Sequence, residues 1–170
     1  GVRVGVGEAE KFDRLVSEII EKFGRIDFIF NNAGIAVTGE MSEITYEDWR
    51  RVIDVNLMGV LYGTLSTYRA MVQQGYGHIV NISSLAGLIG WPLNCPYATT
   101  KFGVVGLSIS LRGEAVARGV KVSVVCPGLI DTQIWQAAKM INADRQKILD
   151  SLPSKMMDPN AAARKIISGV

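Results

Sequence analysis

The chain has 170 residues, of which 48% are hydrophobic, and its 18 basic and 16 acidic residues leave a net charge of +2. This composition predicts one globular domain with a hydrophobic core and excludes a largely disordered chain. The charges are spread along the sequence without a basic run, which argues against nucleic acid as a partner, and no apolar stretch reaches the roughly twenty residues of a membrane span.

The cysteines and the amino-terminal residues bear on the location of the protein. Cys95 and Cys126 lack the paired spacing of a metal-binding or redox motif, and we expect both to be small, reduced, buried side chains. The first four residues do not resemble a secretory signal peptide. The sequence therefore predicts a cytoplasmic protein without a metal site.

Apolar runs rich in β-branched residues alternate with helical patterns, which is typical of β-α-β units that build a parallel sheet. We predict strands over residues 2–6, 26–30, 78–82 and 120–125. Their nearly continuous apolarity favours strands buried on both faces of the sheet. The predicted fold is an α/β domain with a parallel sheet flanked by helices.

Four helices are predicted between and after these strands. Apolar residues at three- and four-residue spacing indicate a helix over residues 8–23, which Gly24 ends. A second helix is expected to begin at Thr45, whose hydroxyl caps it while Asp48 faces its positive end, and to reach Leu65 or beyond. The other two predicted helices run from Tyr97 to about Ala117 and from Pro159, after a capping Asp158, to Gly169.

Three residues inside these elements are given structural roles. Gly59 and Gly63 lie in the second helix and predict the close approach of another segment rather than ligand binding. His78 has no partner at metal-ligand spacing, and we do not expect it to be catalytic.

The strongest local pattern is a tyrosine followed four residues later by a lysine. At the start of a predicted helix, this spacing puts Tyr97 and Lys101 on one face, a turn apart. An ammonium beside a phenol lowers its pKa toward the range that acid-base catalysis at neutral pH requires. The same spacing occurs by chance in many helices, so the pair alone favours a surface or packing role.

Polar and glycine residues follow three of the predicted strands. Ser84 comes directly after the strand at 78–82, thirteen residues before Tyr97. Asn-Asn-Ala-Gly at residues 31–34 closes one strand, and Pro127-Gly128 closes another. Because ligands bind at the carboxyl ends of parallel strands in open α/β sheets, we expect these residues to form one site.

These motifs, in this order, resemble the short-chain dehydrogenase/reductase family. The resemblance rests on the Asn-Asn-Ala-Gly motif, a serine thirteen residues ahead of Tyr-x-x-x-Lys, and Pro-Gly-x-Ile-x-Thr, and it covers essentially the whole chain. It implies a Rossmann-type fold and an oxidoreductase that transfers hydride between NAD or NADP and a carbonyl or secondary alcohol.

The resemblance also implies a role for each catalytic residue. Tyr97 is expected to be the general acid/base and also to contact the cofactor, Lys101 to lower its pKa and bind the nicotinamide ribose, and Ser84 to orient the substrate oxygen. Asn56 completes the set, since the family's asparagine holds a water that links Lys101 to solvent. Ser83 is expected on the opposite side of the strand from Ser84, with a structural role.

Two further groups of residues are expected to contact the cofactor. Asn31, Ala33 and Gly34 are implied on its adenosine side. The residues implied near the nicotinamide and its carboxamide are Pro127, Gly128, Ile130 and Thr132. Considered singly, the glycines could equally supply tight turns.

The family's glycine-rich phosphate turn has no counterpart here. Gly1, Gly5 and Gly7 reproduce its spacing, but no strand precedes them and too few residues separate them from Asn31. The register without a gap aligns residues 2–6 with the family's third strand, and Gly5 then replaces a polar residue that contacts adenine.

We therefore expect residues 1–170 to form a single partial Rossmann-type domain, from about the third strand to just before the seventh. Removal of the first two strands is expected to leave unpaired strand edges, unless the third strand pairs beside the fourth. We interpret the sequence as a fragment of a longer protein and expect it to bind dinucleotide poorly alone.

Two mostly apolar segments, residues 85–93 and 134–157, occupy the family's substrate-facing positions. They favour a pocket for a hydrophobic alcohol or ketone, although a lid that packs on the sheet would show the same pattern. The side chains expected to line it are Trp91, Trp135, Met140, Leu149, Leu152, Met156 and Met157.

The resemblance further implies a homodimer or homotetramer formed through the helices that hold Asn56 and Tyr97. A different functional class, a catalytically silent binding or scaffold protein derived by loss of the phosphate loop, remains the alternative at this point.

Overall fold

A computed structural model of the chain describes residues 5–151 and 156–170. The helices are α1 (Ala9–Phe23), α2 (Tyr46–Ile53), α3 (Gly59–Gln74), α4 (Cys95–Ala115), α5 (Ile134–Ala137), α6 (Arg145–Ser151) and α7 (Pro159–Ser168). The strands are β1 (Phe28–Asn31), β2 (Val37–Thr38), β3 (Gly77–Ile82), β4 (Val120–Val125) and β5 (Lys139–Met140). The four predicted helices are confirmed, and α2 continues into α3 through a π-helical turn, Asp54–Met58.

Local side-chain chemistry sets the predicted helix ends. Gly24 ends α1 in the left-handed conformation, with φ of 76°. The Thr45 hydroxyl accepts from the backbone N–H of Asp48 at 3.2 Å and donates to its carboxylate at 2.8 Å, which fixes the first turn of α2. The Asp158 carboxylate accepts from the N–H of Ala161 at 2.7 Å at the start of α7. These caps confirm the boundaries expected from the sequence.

The main sheet of the described residues is parallel, with strand order β1-β3-β4. The expected α/β fold is therefore confirmed, and three of the four predicted strands are present. The strand predicted over residues 2–6 is not: residues 2–4 lie outside the described ranges, and Gly5 and Val6 do not belong to a strand. Among the described residues, no strand pairs with the free edge of β1, where the strand predicted over residues 2–6 could have paired.

The hydrophobic core lies between one face of the sheet and helices α1, α3 and α4. Its buried centre contains Met71 of α3, Ile79 of β3, Ala115 of α4 and Val120 of β4. Strand residues alternate between faces, so the core uses every second position, and helix residues at three- and four-residue spacing cover it.

The opposite face of β1 is only partly covered by the described residues. Phe28 is 54% exposed and Phe30 is 43% exposed, with their rings stacked 6.3 Å apart. The prediction that this strand is buried on both faces is therefore wrong for the described part of the chain. His78, beside Phe28 on this face, lies with its Nε2 2.9 Å from the hydroxyl oxygen of Ser123, consistent with a structural role.

A second, smaller sheet, in which β2 pairs in parallel with β5, was not predicted from the sequence. A cluster of Val37, Ile44 and Val52 is buried beside it. None of the helices in the described ranges is both long and apolar enough to cross a bilayer.

Both glycines expected to allow close packing do so. A methyl group on Gly59 would lie 3.1 Å from the Cβ and carbonyl oxygen of Val6, and one on Gly63 would overlap the amide oxygen of Asn31. The helix they share consequently packs directly against the amino-terminal turn and the end of β1.

We expect Gly63→Ala to destabilise the fold by about 1–3 kcal/mol, because the added methyl group has to displace a buried amide. Gly113→Ala in α4 is the matched control. A methyl group there meets nothing within 4 Å, so the change should stabilise by up to about 1 kcal/mol through helix propensity. Urea unfolding followed by circular dichroism measures both, and equal stability of the two variants would contradict the packing role of Gly63.

Candidate functional site

The candidate site lies where β3 and β4 end and α4 begins. Backbone hydrogen bonds continue past both strands: the N–H of Ser83 donates to Val125 at 2.7 Å, and that of Leu85 donates to Pro127 at 2.7 Å. These bonds hold the segment containing Ser84 beside Pro127. The motifs at two of the predicted strand ends are thus brought together.

Lys101 is the buried cation of this site. Its side chain, on a residue only 3% exposed, donates to the carbonyl oxygen of Ile82 at 2.9 Å and lies 5.6 Å from the centre of the Tyr97 ring. Burial lowers the pKa of Lys101 to about 8, because the charged form loses its hydration. The ammonium is accordingly held by one carbonyl, with donors left over for a ligand.

Tyr97 shares the buried face of α4 with Lys101, but its electrostatics differ from the sequence-based expectation. Burial raises the pKa of the Tyr97 phenol, and a hydrogen bond with the Ser84 side chain opposes this only in part. The Lys101 ammonium is directed to the Ile82 carbonyl and lies over the Tyr97 ring, and burial is the larger influence on the pKa of the phenol. The phenol is therefore protonated at neutral pH.

The hydroxyl groups of Ser84 and Ser83 have different partners, as expected for neighbouring residues whose side chains point to opposite sides of a strand. The Ser84 hydroxyl accepts from the N–H of Ala86 at 3.2 Å and also reaches Tyr97. The buried Ser83 hydroxyl donates to the carbonyl oxygen of Lys101 at 2.8 Å and so joins β3 to α4. A methyl group on Gly87 would overlap that hydroxyl, so glycine allows the turn to pack there.

Asn56 is completely buried in the π-helical turn, and its amide makes three hydrogen bonds. Its oxygen accepts from the N–H of Ile35 at 2.8 Å, and its nitrogen donates to the Ile35 carbonyl at 2.9 Å and to the Thr100 hydroxyl at 3.2 Å. Thr100 in turn donates to the carbonyl oxygen of Tyr97 at 2.8 Å. The side chain thus fastens the loop after Gly34 to α4 through both of its N–H groups.

Thr100 is a residue that sequence reasoning missed. It is buried between Tyr97 and Lys101, and its hydroxyl connects Asn56 to the backbone of the helix that carries both. Its one recognisable feature in the sequence is a small polar side chain on the side of the helix that is expected to be buried, which can indicate a structural hydrogen bond.

Gly34 lies next to Lys101 and Asn56. A methyl group on it would be 3.6 Å from the amide oxygen of Asn56 and 3.7 Å from the Lys101 nitrogen. Gly34 therefore lies beside the residue expected to bind the nicotinamide ribose.

Asn31 holds the interior of the domain together. It is buried and donates to the Thr64 hydroxyl at 3.1 Å and to the amide oxygen of Asn81 at 2.8 Å, while Asn81 donates to Ser108 at 3.0 Å. This network joins two strands to α3 and α4, and it uses the amide nitrogen of Asn31.

A cavity of about 240 Å³ opens beside the end of β1. Its walls are mostly apolar and include Val6, Phe30, Ala33, Val55 and Val60, and Asn31 also borders it. An apolar space of this volume at a strand end has room for a heteroaromatic ring.

The loop after β4 carries the remaining predicted residues. Gly128 and Thr132 are exposed, Pro127 and Ile130 are half-buried, and the Ile130 carbonyl accepts from the Trp135 indole at 2.8 Å. The loop is therefore open to a ligand along one side while its backbone is fixed by Trp135.

The two cysteines differ from each other. Cys126 is half-buried near Lys101 and Ser83, and burial raises the pKa of its thiol. Cys95 is exposed at the start of α4, so the expectation that it is buried is wrong. The described residues contain no cluster of side chains that could hold a metal ion.

The side chains expected to form a substrate pocket are distributed over two places. Trp91 is exposed beside a shallow depression of about 590 Å³ that also borders Cys95 and Phe102. Trp135 and Met140 are half-buried on the segment that follows the loop after β4. Half-buried Leu149 and Met156 and exposed Met157 belong to the described residues, while Leu152 lies outside them.

A reductase and a dehydrogenase subunit are similar in sequence to this chain. A 3-oxoacyl-[acyl-carrier-protein] reductase of Synechocystis is 37% identical over 152 residues, covering 89% of this chain and 60% of that protein. A (2S)-[(R)-hydroxy(phenyl)methyl]succinyl-CoA dehydrogenase subunit of Thauera aromatica is 35% identical, over 98% of this chain and 66% of its own length. The chain thus spans about two thirds or less of these relatives.

Solved structures match the fold. A short-chain dehydrogenase from Streptomyces avermitilis superposes with a TM-score of 0.86 at 27% identity, covering 97% of this chain and 63% of that one. A gluconate 5-dehydrogenase from Burkholderia cenocepacia, solved with NADP and tartrate, gives a TM-score of 0.76 at 29% identity, over 79% of this chain and 52% of that one.

The family comparison agrees with the motifs and the geometry. The model of the short chain dehydrogenase family matches residues 1–142, which include the strand ends, Asn56, Ser84 and the Tyr-x-x-x-Lys pair. This chain belongs to the short-chain dehydrogenase family.

Proposed function

We propose that this chain forms the catalytic part of an NAD- or NADP-dependent oxidoreductase that interconverts a carbonyl and a secondary alcohol. The observation that carries the proposal is the meeting of three groups at one sheet edge: the Tyr97 phenol, the nearby Ser84 hydroxyl, and the buried Lys101 ammonium. A general acid, an orienting donor and a buried cation are the groups that carbonyl reduction needs.

When bound, a nicotinamide cofactor would supply the hydride for the carbonyl carbon, and the residues of this chain would supply position and proton. Tyr97, protonated at neutral pH because burial raises its pKa, gives its proton to the carbonyl oxygen. Ser84 donates a hydrogen bond to the same oxygen and fixes its position. The nearby Lys101 cation favours the phenolate that remains, and oxidation of the alcohol reverses each step.

The residues fit a dinucleotide cofactor. The apolar cavity bordered by Asn31 and Ala33 would receive the adenine ring, and Lys101 beside Gly34 would donate its unused N–H groups to ribose hydroxyls. The open loop of Pro127, Gly128, Ile130 and Thr132 would lie along the nicotinamide. The NADP-bound gluconate 5-dehydrogenase supports this choice of cofactor.

We further propose a hydrophobic substrate, reduced or oxidised at a single carbonyl or alcohol carbon. Half-buried Trp135 and Met140 follow the loop assigned to the nicotinamide, so apolar surface is available there. The 3-oxoacyl reductase among the relatives makes a 3-oxoacyl thioester a sensible first assay substrate.

For assembly and location, we propose a cytoplasmic homodimer or homotetramer. Helix α4 exposes Phe102 and Ile109, seven residues apart on one face, and apolar side chains in such a row favour association with a second copy. Two free cysteines are compatible with a reducing compartment.

Tyr97→Phe should lower kcat by about a hundredfold or more while leaving dinucleotide affinity nearly unchanged, because only the transferred proton is lost. The assay follows the absorbance of reduced nicotinamide with a 3-oxoacyl thioester. Tyr46→Phe, at an almost fully exposed tyrosine, is the matched control and should keep full activity. Full activity of Tyr97→Phe would refute the assigned role, and absence of turnover in the unmutated protein would favour a catalytically silent binding protein.

Affinity for reduced dinucleotide should fall several-fold as pH rises through about 8, the pKa to which burial lowers Lys101. Below that pH the ammonium is charged and can donate; above it the charge is lost. Titration calorimetry at a series of pH values measures this. Lys101→Met should bind weakly with no break near this pH, and a flat profile in the unmutated protein would contradict the role of Lys101.

Phe102→Arg should convert the assembled protein to monomer, because a charge would be buried where an exposed phenyl group packs. Phe23→Arg, at the exposed end of α1, provides the control and should keep the assembly intact. Sedimentation velocity distinguishes the species, and an unchanged oligomer in Phe102→Arg would show that α4 is not the contact.

A further inference from the structure

The segment that follows the proposed nicotinamide loop is attached to β2. It contains α5 and β5, residues 134–140, and we call it the wall segment. Backbone bonds pair β5 with β2: the N–H of Lys139 donates to Ala36 at 3.0 Å, and that of Ile141 donates to Thr38 at 2.9 Å. A parallel pair of two residues on each strand is too short to persist without side-chain support.

Part of that support is apolar. Ile141 packs against the buried cluster of Val37 and Val52, and Gly39 lies so close that a methyl group on it would be 2.9 Å from both the Cβ and the carbonyl oxygen of Ile141. This contact holds one end of the wall segment against β2.

The other support is an ion pair between two distant parts of the sequence. The Lys139 ammonium lies 2.6 Å from the carboxylate of Asp48, whose side chain is only 5% exposed. The Asp48 carboxylate also accepts from Thr45, in the first turn of α2, where the helix dipole favours a negative charge. Lys139 itself is half exposed, so it can be replaced without opening the core.

Hydrogen bonds connect the wall segment, between this ion pair and the proposed nicotinamide loop, to its surroundings. Arg145 donates to the carbonyl oxygens of Trp135 and Gln136, at 2.7 and 2.8 Å, and of Ala138 at 2.7 Å, which joins the end of α5 to the turn before β5. The Trp135 indole holds the loop through Ile130. A displacement of Lys139 would therefore move Trp135 as well.

We propose that the Asp48–Lys139 ion pair is a positioning device that holds the wall segment in place and thereby sets the apolar side of the substrate pocket. This inference rests on the proposed function. Neither residue touches the reacting atoms; both act through Trp135 and Met140. Breaking the ion pair should weaken substrate binding and leave proton and hydride transfer nearly unchanged.

The experiment compares Lys139→Met, Lys139→Arg and Lys147→Met. Lys139→Met removes the charge but keeps the length of the side chain, while Lys139→Arg keeps the charge. Lys147→Met makes the same chemical change on exposed α6 nearby and is the matched control. Asp48→Asn tests the ion pair from its other side.

The first measurement is hydrogen exchange by mass spectrometry on peptides that cover residues 134–142. Exchange should become at least about tenfold faster in Lys139→Met and Asp48→Asn, while peptides from α4 stay protected. Lys139→Arg and Lys147→Met should match the unmutated protein. No acceleration in Lys139→Met, or equal acceleration in Lys147→Met, would overturn the proposal.

The second measurement is steady-state kinetics. KM for the carbonyl substrate should rise roughly five- to tenfold in Lys139→Met with kcat within about twofold of the unmutated value, and Lys139→Arg should restore KM. Faster exchange with an unchanged KM would overturn the link to substrate. If the unmutated protein shows no turnover, the proposed function fails, and the exchange data still decide whether the ion pair holds the segment.

Discussion

The site depends on a positive charge held inside the protein at the end of a parallel strand. The Lys101 ammonium is buried, and the carbonyl oxygen of Ile82 is its only hydrogen-bond partner within the described residues. An ion in such surroundings needs an oriented dipole near it, so the strand has to end there and the helix has to pack against it. Ser83 joins the strand end to the helix through a hydrogen bond to the backbone of Lys101. Gly87 lacks a side chain and so leaves room for that hydrogen bond.

A second set of hydrogen bonds transmits this constraint to the rest of the site. Asn56 joins the loop at Ile35 to Thr100, and Thr100 joins Asn56 to the backbone of Tyr97. The groups assigned to proton transfer and to the ribose thus stand on one connected framework. A change in any one of these contacts would alter the relative positions of the others.

Most of the fold follows from patterns that act over short distances. The ends of α1, α2 and α7 were predictable because Gly24, Thr45 and Asp158 decide them through their own backbone or a neighbour three residues away. The site motifs were predictable because parallel strands end at a common edge. The β2–β5 pair was not, because each partner contributes two residues and the ion pair behind it joins positions 91 residues apart in sequence.

The electrostatics were the least predictable part of the site. Spacing puts Lys101 near Tyr97, but the direction in which the ammonium points depends on the Ile82 carbonyl, and the burial of the phenol depends on the whole domain. Similarly, the position of Asn31 within a motif did not reveal that its amide faces Thr64 and Asn81.

The π-helical turn at Asp54–Met58 has a consequence for how the long helix is built. Such a turn holds one residue more than a regular turn, which shifts the later part of the helix by about 100° relative to the earlier part. If the same residues formed a regular helix throughout, one of its two halves would be rotated away from its present neighbours. The wide turn at Asp54–Met58 absorbs the extra residue, so that α2 and α3 both keep their contacts.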